Sequence, residues 1–276
     1  MTKKILCPTD FSLSSTNAIE YAAKYAARVN ATLTLLHVQL VSASEGVSLF
    51  SGEERESVTE AKSDSKTLKE ICDRVNETFK VACSYEIIPS INSFEKVFAN
   101  ESQNFYLIIL GTNGANNLYQ FLFGTHSFRA AKKTNVPIII IPKEYQFKEI
   151  KKIVFATDCM QHDVKLIQQL KQLITEFDPH IDMIHISEKD SEVSKENYRS
   201  FCNLAEESFD YDQRVTFERI INENKVEAIN SFIQMKDAEL LVMNMQEHGF
   251  IYRMLHKDLV KEITSGTECP VLIIHE

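Results

Sequence analysis

Three of the chain's seven glycines, Gly111, Gly114 and Gly124, lie within a short segment. With Thr125 they form the pattern G-x2-G-x9-G-[ST], and Ser127 follows two residues later. Glycine lets backbone N–H groups approach an anion closely, and a helix N-terminus adds unpaired donors and a positive dipole. The hydroxyls of Thr125 and Ser127 can donate to the same oxygens. The pattern predicts a phosphate-binding loop, and the alternative is a plain glycine turn followed by a glycine near a helix start.

The same segment lacks the marks of several nucleotide enzymes. Its pattern is neither GxGxxG nor GxxxxGK[ST], so a dehydrogenase fingerprint and a Walker A loop are both absent. No Lys or Arg lies within the motif to stabilise a transferring phosphoryl group. We therefore expect binding with at most slow hydrolysis, and we assign no catalytic residue and no metal ligand.

Bulk composition excludes other classes of protein. The formal net charge of −9 argues against a dedicated nucleic-acid binder, which normally carries a basic stripe. The longest apolar runs are far shorter than the roughly twenty residues of a membrane span, and no signal peptide is visible. The six cysteines form no CxxC pair, so we expect most of them to be buried small hydrophobes. The sequence predicts a cytoplasmic protein without a membrane or nucleic-acid partner.

The chain repeats itself. KKILCPTD at residues 3–10 aligns with KKIVFATD at 151–158, and LLHV at 35–38 aligns with MIHI at 183–186, both at an offset of 148. Near the ends the offset falls to 133, which places VPIIII at 136–141 on CPVLII at 269–274. The extra residues of the first unit fall most simply within 41–66. We predict two tandem domains, the first copy (residues 1–145) and the second copy (residues 148–276).

Strand and helix signals alternate along each copy. In the first copy, short apolar segments predict strands at Lys4–Cys7, Thr32–Val38, Val81–Ile88, Phe105–Leu110 and Pro137–Ile141. Between them, helices are predicted at Ser14–Val29, about Glu56–Thr78, Ser93–Glu101 and His126–Thr134, with Ser12 or Ser14 as the first N-cap. Buried strands separated by helices indicate an α/β fold of two tandem, doubly wound, five-stranded parallel-sheet domains.

Ligands of such sheets bind beyond the carboxyl ends of the strands, where the strand order reverses. The first strand leads into Pro8, Thr9 and Asp10, and the fourth leads into Gly111. A carboxylate accepts well from sugar hydroxyls, so Asp10 suits a ribose. The alternative for Asp10 is a helix N-cap.

These segments resemble the universal stress protein family in its tandem form. The resemblance rests on KKILCPTDFS at the first strand, LLHV at the second, LIILGTNG at the fourth, and FGTHS leading to VPIIIIP. It implies a Rossmann-like, adenine nucleotide alpha hydrolase-like fold that binds ATP, ADP or AMP, with Mg²⁺ held through the phosphates. By that resemblance the phosphates lie at Gly111, Gly114, Gly124 and Thr125, with His126 and Ser127 nearby. Asp10 meets the ribose beside Pro8 and Thr9, and the backbone near Val38 lies beside the adenine.

The resemblance also implies how the two copies meet. The fifth strands, Ile138–Ile141 and Val271–Ile274, are strongly apolar for a sheet edge, which would otherwise invite aggregation. In the family such strands pair between domains, so we expect an internal pseudo-dimer. A further homodimer of two chains is compatible with this arrangement.

The second copy departs from the glycine pattern. Asn244 and Glu247 replace the first two glycines, and Lys257 and Asp258 replace Gly124 and Thr125. Acidic side chains beside phosphates repel them. We therefore predict one competent nucleotide site, in the first copy of a stress-response sensor. The alternatives are a nucleotide-hydrolysing or nucleotidyl-transfer enzyme of a related α/β class, and a partner-binding module with a vestigial pocket.

Overall fold

The computed structural model describes most of both copies. It covers residues 2–40, 56–90, 94–112, 133–159, 161–209, 214–245 and 269–275. The predicted site residues Gly114, Gly124, Thr125, His126 and Ser127 lie outside these ranges, as does nearly all of the helix predicted at His126–Thr134.

The described part of the first copy alternates strands and helices as predicted. Its strands are β1 (Lys4–Pro8), β2 (Thr32–Leu40), β3 (Cys83–Ser90), β4 (Leu107–Gly111) and β5 (Ile138–Ile141). Its helices are α1 (Leu13–Val29), α2 (Glu56–Phe79) and α3 (Phe94–Glu101), and a 3-10 turn spans Ser102–Asn104.

The described part of the second copy follows the same order. Its strands are β6 (Lys152–Ala156), β7 (His180–Ser187), β8 (Val215–Ile221), β9 (Leu240–Met245) and β10 (Val271–His275). Its helices are α4 (Gln161–Ile174), α5 (Glu192–Glu206) and α6 (Lys225–Lys236). The first helix of each copy begins at the same repeat position, because Leu13 and Gln161 are separated by the offset of 148.

Several predicted boundaries were wrong by one or two residues, for local reasons. β3 begins at Cys83 because Lys80 adopts a left-handed conformation with a φ of 58° and ends the helical segment. β4 begins at Leu107 because the Phe105 N–H donates to Ser102 O at 3.1 Å and closes the 3-10 turn. The N-cap of α1 is Ser12, whose side chain accepts from Ser15 N, and Ser14 lies inside the helix.

All ten described strands belong to one sheet, in the order β3-β2-β1-β4-β5-β10-β9-β6-β7-β8. Neighbouring strands within each copy are parallel, as predicted. The copies join where β5 and β10 pair antiparallel, with Val271 opposite Ile140 and Ile273 opposite Ile138. This is the pairing of fifth strands that we expected, and it covers both apolar edges.

Helices cover both faces of the sheet, so the strands are buried on both sides. Side chains of α1, α2, α4 and α5 pack in one apolar cluster, and those of α3 and α6 pack in a second. The first cluster is continuous between the copies, because Tyr25 of α1 stacks near Phe177 and donates to Leu173 O at 2.7 Å. The α/β, doubly wound architecture is confirmed.

Among the described residues, no helix is both long enough and apolar enough to cross a membrane.

Candidate functional site

The candidate site lies where strand order reverses in the first copy. From β1 the chain continues to β2 on one side, whereas β4 flanks β1 on the other, with Ile5 opposite Leu107. Ligands of such sheets bind beyond the carboxyl ends of the strands at this point, so the ends of β1 and β4 border the expected binding crevice. The structure brings the predicted residues Thr9 and Gly111 to these two strand ends, as the sequence indicated.

The loop after β1 is held rigidly by its own side chains. Thr9 is buried, and its Oγ1 accepts from the Phe11 N–H at 3.1 Å and donates to Ser15 Oγ at 3.0 Å. Phe11 has a φ of 62°, a left-handed conformation that bulky residues seldom adopt. Pro8, the last residue of β1, pairs in register with Leu36. These contacts fix the direction in which the loop leaves the sheet.

Asp10 projects from this loop as an exposed carboxylate. Its Oδ1 accepts from the Ser12 N–H at 3.0 Å. Partial burial would raise the pKa of Asp10, but hydrogen bonds from Ser12 and Ser15 outweigh it and hold the pKa below its usual value. The group is thus ionised at neutral pH and is an acceptor only, which suits a ligand that offers hydroxyl donors. The N-cap alternative does not hold for α1, since Ser12 fills that position.

The last residues of β2 border the loop after β1 on the side away from β4. His37 Nδ1 lies 2.9 Å from Thr9 O, which fixes its Nδ1–H as the donor, and its ring lies 4.6 Å from that of Phe11. Its Nε2 faces Asp64 Oδ2 of α2 at 3.6 Å. Val38, predicted to lie beside an adenine, is the next residue of β2 and is half-buried.

Gly111, at the end of β4, is needed for helix packing. A Cβ added there would lie 2.4 Å from Ser14 O and 3.3 Å from Ala18 Cβ, so any side chain would displace the first turns of α1. The glycine thereby brings the N-terminus of α1 against β4 at the crevice. Whether its backbone also contacts a phosphate stays a prediction.

Thr112, which we did not predict, closes the end of β4. Its N–H donates to Ile141 O at 3.1 Å, while its buried Oγ1 has no hydrogen-bond partner within the described structure. A buried hydroxyl without a partner is costly, so this atom is a candidate for a hydrogen bond that the described residues do not supply. No sequence motif singles it out beyond its place beside Gly111.

The second copy repeats three hydrogen bonds of this site, which we call the shared frame. Thr157 N donates to Ile184 O at 3.0 Å as Thr9 N donates to Leu36 O at 2.9 Å. His185 Nδ1 lies 3.0 Å from Thr157 O, and Cys159 has a φ of 59° with its N–H on Thr157 Oγ1. Burial lowers the pKa of His185.

The second copy differs in what surrounds that frame. Asn244 stands at the register position of Gly111, since it pairs with Ile274 as Gly111 pairs with Ile141. His185 stacks on Tyr198 at 6.3 Å, and Arg219 is its neighbour on β8.

Arg219 is in turn engaged by groups of the second copy itself. Its Nη2 lies 2.9 Å from Asp190 Oδ1 and 3.4 Å from Ser194 Oγ. Ser194 Oγ also lies 2.6 Å from Ser187 Oγ at the end of β7. The polar groups of this edge therefore bond to one another.

Sequence reasoning missed three residues that shape the crevice: Phe11, Asp64 and Thr112. Asp64 is far from His37 in sequence, and only the packing of α2 brings them together. Within the described residues, no group of three or more His, Cys, Asp or Glu side chains is placed to hold a metal ion.

Comparison with known proteins agrees with the fold. The model of the Universal stress protein family matches residues 1–142. Universal stress protein MJ0577 of Methanocaldococcus jannaschii is 27% identical in an alignment over 161 residues that covers 52% of this chain and 97% of that protein. The crystal structure of a universal stress protein from Archaeoglobus fulgidus covers 99% of this chain and 96% of its own, at 14% identity and a TM-score of 0.69. The family model spans half of the sequence, and the chain therefore belongs to the universal stress protein family.

Proposed function

We propose that this chain is a cytoplasmic stress-response sensor that binds one adenine nucleotide, ATP or its ADP or AMP form, in its first copy. The observation that carries the proposal is the crevice between β1 and β4, where the ionised Asp10 and the unpartnered Thr112 hydroxyl stand at neighbouring strand ends. Family membership supports it. The tandem domains at 1–145 and 148–276 are part of the same proposal.

Each end of the crevice suits a different part of a nucleotide. The Asp10 carboxylate accepts hydrogen bonds from ribose hydroxyls. Val38, near the end of β2, is half-buried and would lie beside the flat base. Phosphates would follow the chain from Gly111 to Gly114 and then to Gly124–Ser127, where the sequence predicts a helix start whose backbone N–H groups would attract anions. Mg²⁺ bound to the phosphates would lower their net charge there.

The second copy supports the proposal by contrast. Asn244 adds a side chain at the strand end where Gly111 has none. At the predicted phosphate positions, Glu247 and Asp258 would repel phosphate. A single site per chain follows from these differences.

Calorimetric titration of the full chain with Mg·ATP tests this proposal. We expect saturable binding to the wild type and at least about tenfold weaker binding to Gly114→Glu, which introduces the acidic residue found at Glu247. Gly114→Gln matches that change in size without charge, and Glu247→Gln is a control expected to bind normally. No binding by the wild type would refute the sensor, and rapid multiple-turnover hydrolysis would favour an enzyme.

A further inference from the structure

Two cysteines that are distant from any sequence motif meet in the first copy. Cys72 lies in the C-terminal third of α2, and Cys83 is the first residue of β3. Their Sγ atoms are 3.0 Å apart, and both are free thiols. A disulfide bond is about 2.05 Å long, so an approach of about 1 Å separates this pair from a covalent bond.

Both cysteines are held by regular structure, so their closeness is a property of the fold. Cys83 pairs with Leu33 in the sheet, and its N–H donates to Asn76 Oδ1 of α2 at 3.0 Å. Cys72 packs in the apolar cluster beneath the same helix. The packing of α2 on β3 therefore holds the two sulfurs within 3.0 Å of each other.

The pair differs chemically from the other cysteines. The Cys83 thiol donates a hydrogen bond to Cys72 Sγ, which lowers the pKa of Cys72 and favours its thiolate. Burial raises the pKa of the thiols of Cys7 and Cys269, which makes them poor nucleophiles. Cys83 is half-buried and gives a small reagent access to the pair.

We propose that Cys72 and Cys83 are a redox modification site, which a peroxide converts into an intramolecular disulfide. The Cys72 thiolate attacks one peroxide oxygen, the O–O bond breaks, and the departing hydroxide takes a proton to form water. The resulting sulfenic acid is then attacked by Cys83 Sγ, the S–O bond breaks, and a second water leaves with the Cys83 proton. Two thiols are oxidised by two electrons and one hydrogen peroxide is reduced to two waters.

The disulfide would tie the end of α2 to the edge strand β3. That helix also carries Asp64, which faces His37, and Ser65, whose Oγ lies 3.0 Å from Tyr85 OH. A cross-link between a helix and its neighbouring strand restricts the unfolded chain and stabilises the fold. The site is confined to the first copy, because Val215 pairs with Ile181 as Cys83 pairs with Leu33.

The test treats the reduced full-length protein with hydrogen peroxide and follows it by intact-mass and peptide mass spectrometry. We expect a mass loss of two hydrogen atoms, a cross-linked peptide containing Cys72 and Cys83, a raised melting temperature, and full reversal by dithiothreitol. Oxidation of this pair should be about tenfold faster than oxidation of Cys202, a half-buried cysteine whose thiol pKa is raised by burial.

Two variants and one control sharpen the result. Cys83→Val introduces the residue of the second copy at the same register position, and Cys72→Ala shortens the buried partner; both should abolish the mass loss. Cys202→Ser should leave it unchanged. If peroxide produces no Cys72–Cys83 peptide in the wild type, or oxidises Cys202 first, the proposal is wrong, whether or not the variants fold.

Discussion

The carboxyl edges of the two copies share a frame and differ in its surroundings. Thr9 and Thr157 accept from equivalent N–H groups, and His37 and His185 bond to them at 2.9 and 3.0 Å. Around that frame the first copy has Gly111 with α1 packed on it, whereas the second has Asn244. Contacts kept in both copies are requirements of the fold, whereas the loss of the first copy's glycines from the second copy is the reason that we expect one competent site.

The largest expected effect comes from exchanging the residues at the end of the fourth strand. Gly111→Asn should destabilise the protein by about 3 kcal/mol, because its Cβ meets the Ser14 backbone oxygen at 2.4 Å. The reciprocal Asn244→Gly should change the free energy of unfolding by about 1 kcal/mol or less. Urea unfolding of both variants measures this, and equal stability of Gly111→Asn and the wild type would contradict the packing role.

A smaller effect is expected where the second copy buries a charge that the first copy lacks. Asp182 is 1% exposed and its Oδ1 lies 2.9 Å from Lys236 Nζ, whereas the corresponding residue of β2 is the neutral Thr34. Asp182→Asn removes the ionic hydrogen bond and should destabilise the protein by about 2 kcal/mol at neutral pH.

The pH dependence of the stability difference between the wild type and Asp182→Asn tests whether the charge of Asp182 is its cause. Burial would raise the pKa of Asp182, but hydrogen bonds from Thr216 and Lys236, together with the Lys236 charge, lower it below 3.8. The stabilisation is therefore complete above that value and is lost as the pH falls through the folded pKa. The stability gap between wild type and Asp182→Asn should shrink in strong acid. A gap that grows on acidification would show that the charge is not the cause.

The smallest effect concerns the end of the fifth strand, where the second copy has His275 and the first has Pro142. Burial lowers the pKa of His275 from 6.5 to about 4, and its Nε2 has no hydrogen-bond partner within the described structure. The unfolded chain binds this proton first, so stability falls as the pH drops below 6.5.

Between about pH 6 and about pH 5, the wild type should lose about 1 kcal/mol of stability through His275. His275→Leu should abolish that part of the loss. Thermal unfolding at several pH values checks this. A His275 NMR titration with a pKa near 6.5 would contradict it.

The fold could be predicted because buried strands and helix caps each leave a short pattern in the sequence. Apolar runs such as Ile138–Ile141 mark buried strands wherever they occur, and Ser12 has the side chain that an N-cap needs. The repeat added long-range information, because equivalent positions in two copies must play equivalent structural roles. The pairing of β5 with β10 was expected instead from the resemblance to the family, together with the apolar character of both fifth strands.

The remaining features depend on distances between elements, which no local pattern reports. Cys72 and Cys83 have no CxxC spacing, and only the packing of α2 on β3 brings their sulfurs together. The close approach of α1 explains Gly111 through packing, whereas the glycine pattern alone suggested an anion site or a plain glycine turn. The left-handed backbone conformation of Phe11 could not be predicted, because no glycine marks that position in the sequence.

The most direct test of the central claim is the number of ATP sites per chain, with Asp10 and Asp158 as a matched pair. Equilibrium titration should give one site per chain in the wild type. Asp10→Asn should weaken binding by about tenfold or more, since a hydrogen bond to a charged acceptor is lost, and Asp158→Asn should bind as the wild type does. Two equivalent sites, or equal losses in both variants, would contradict a single competent copy.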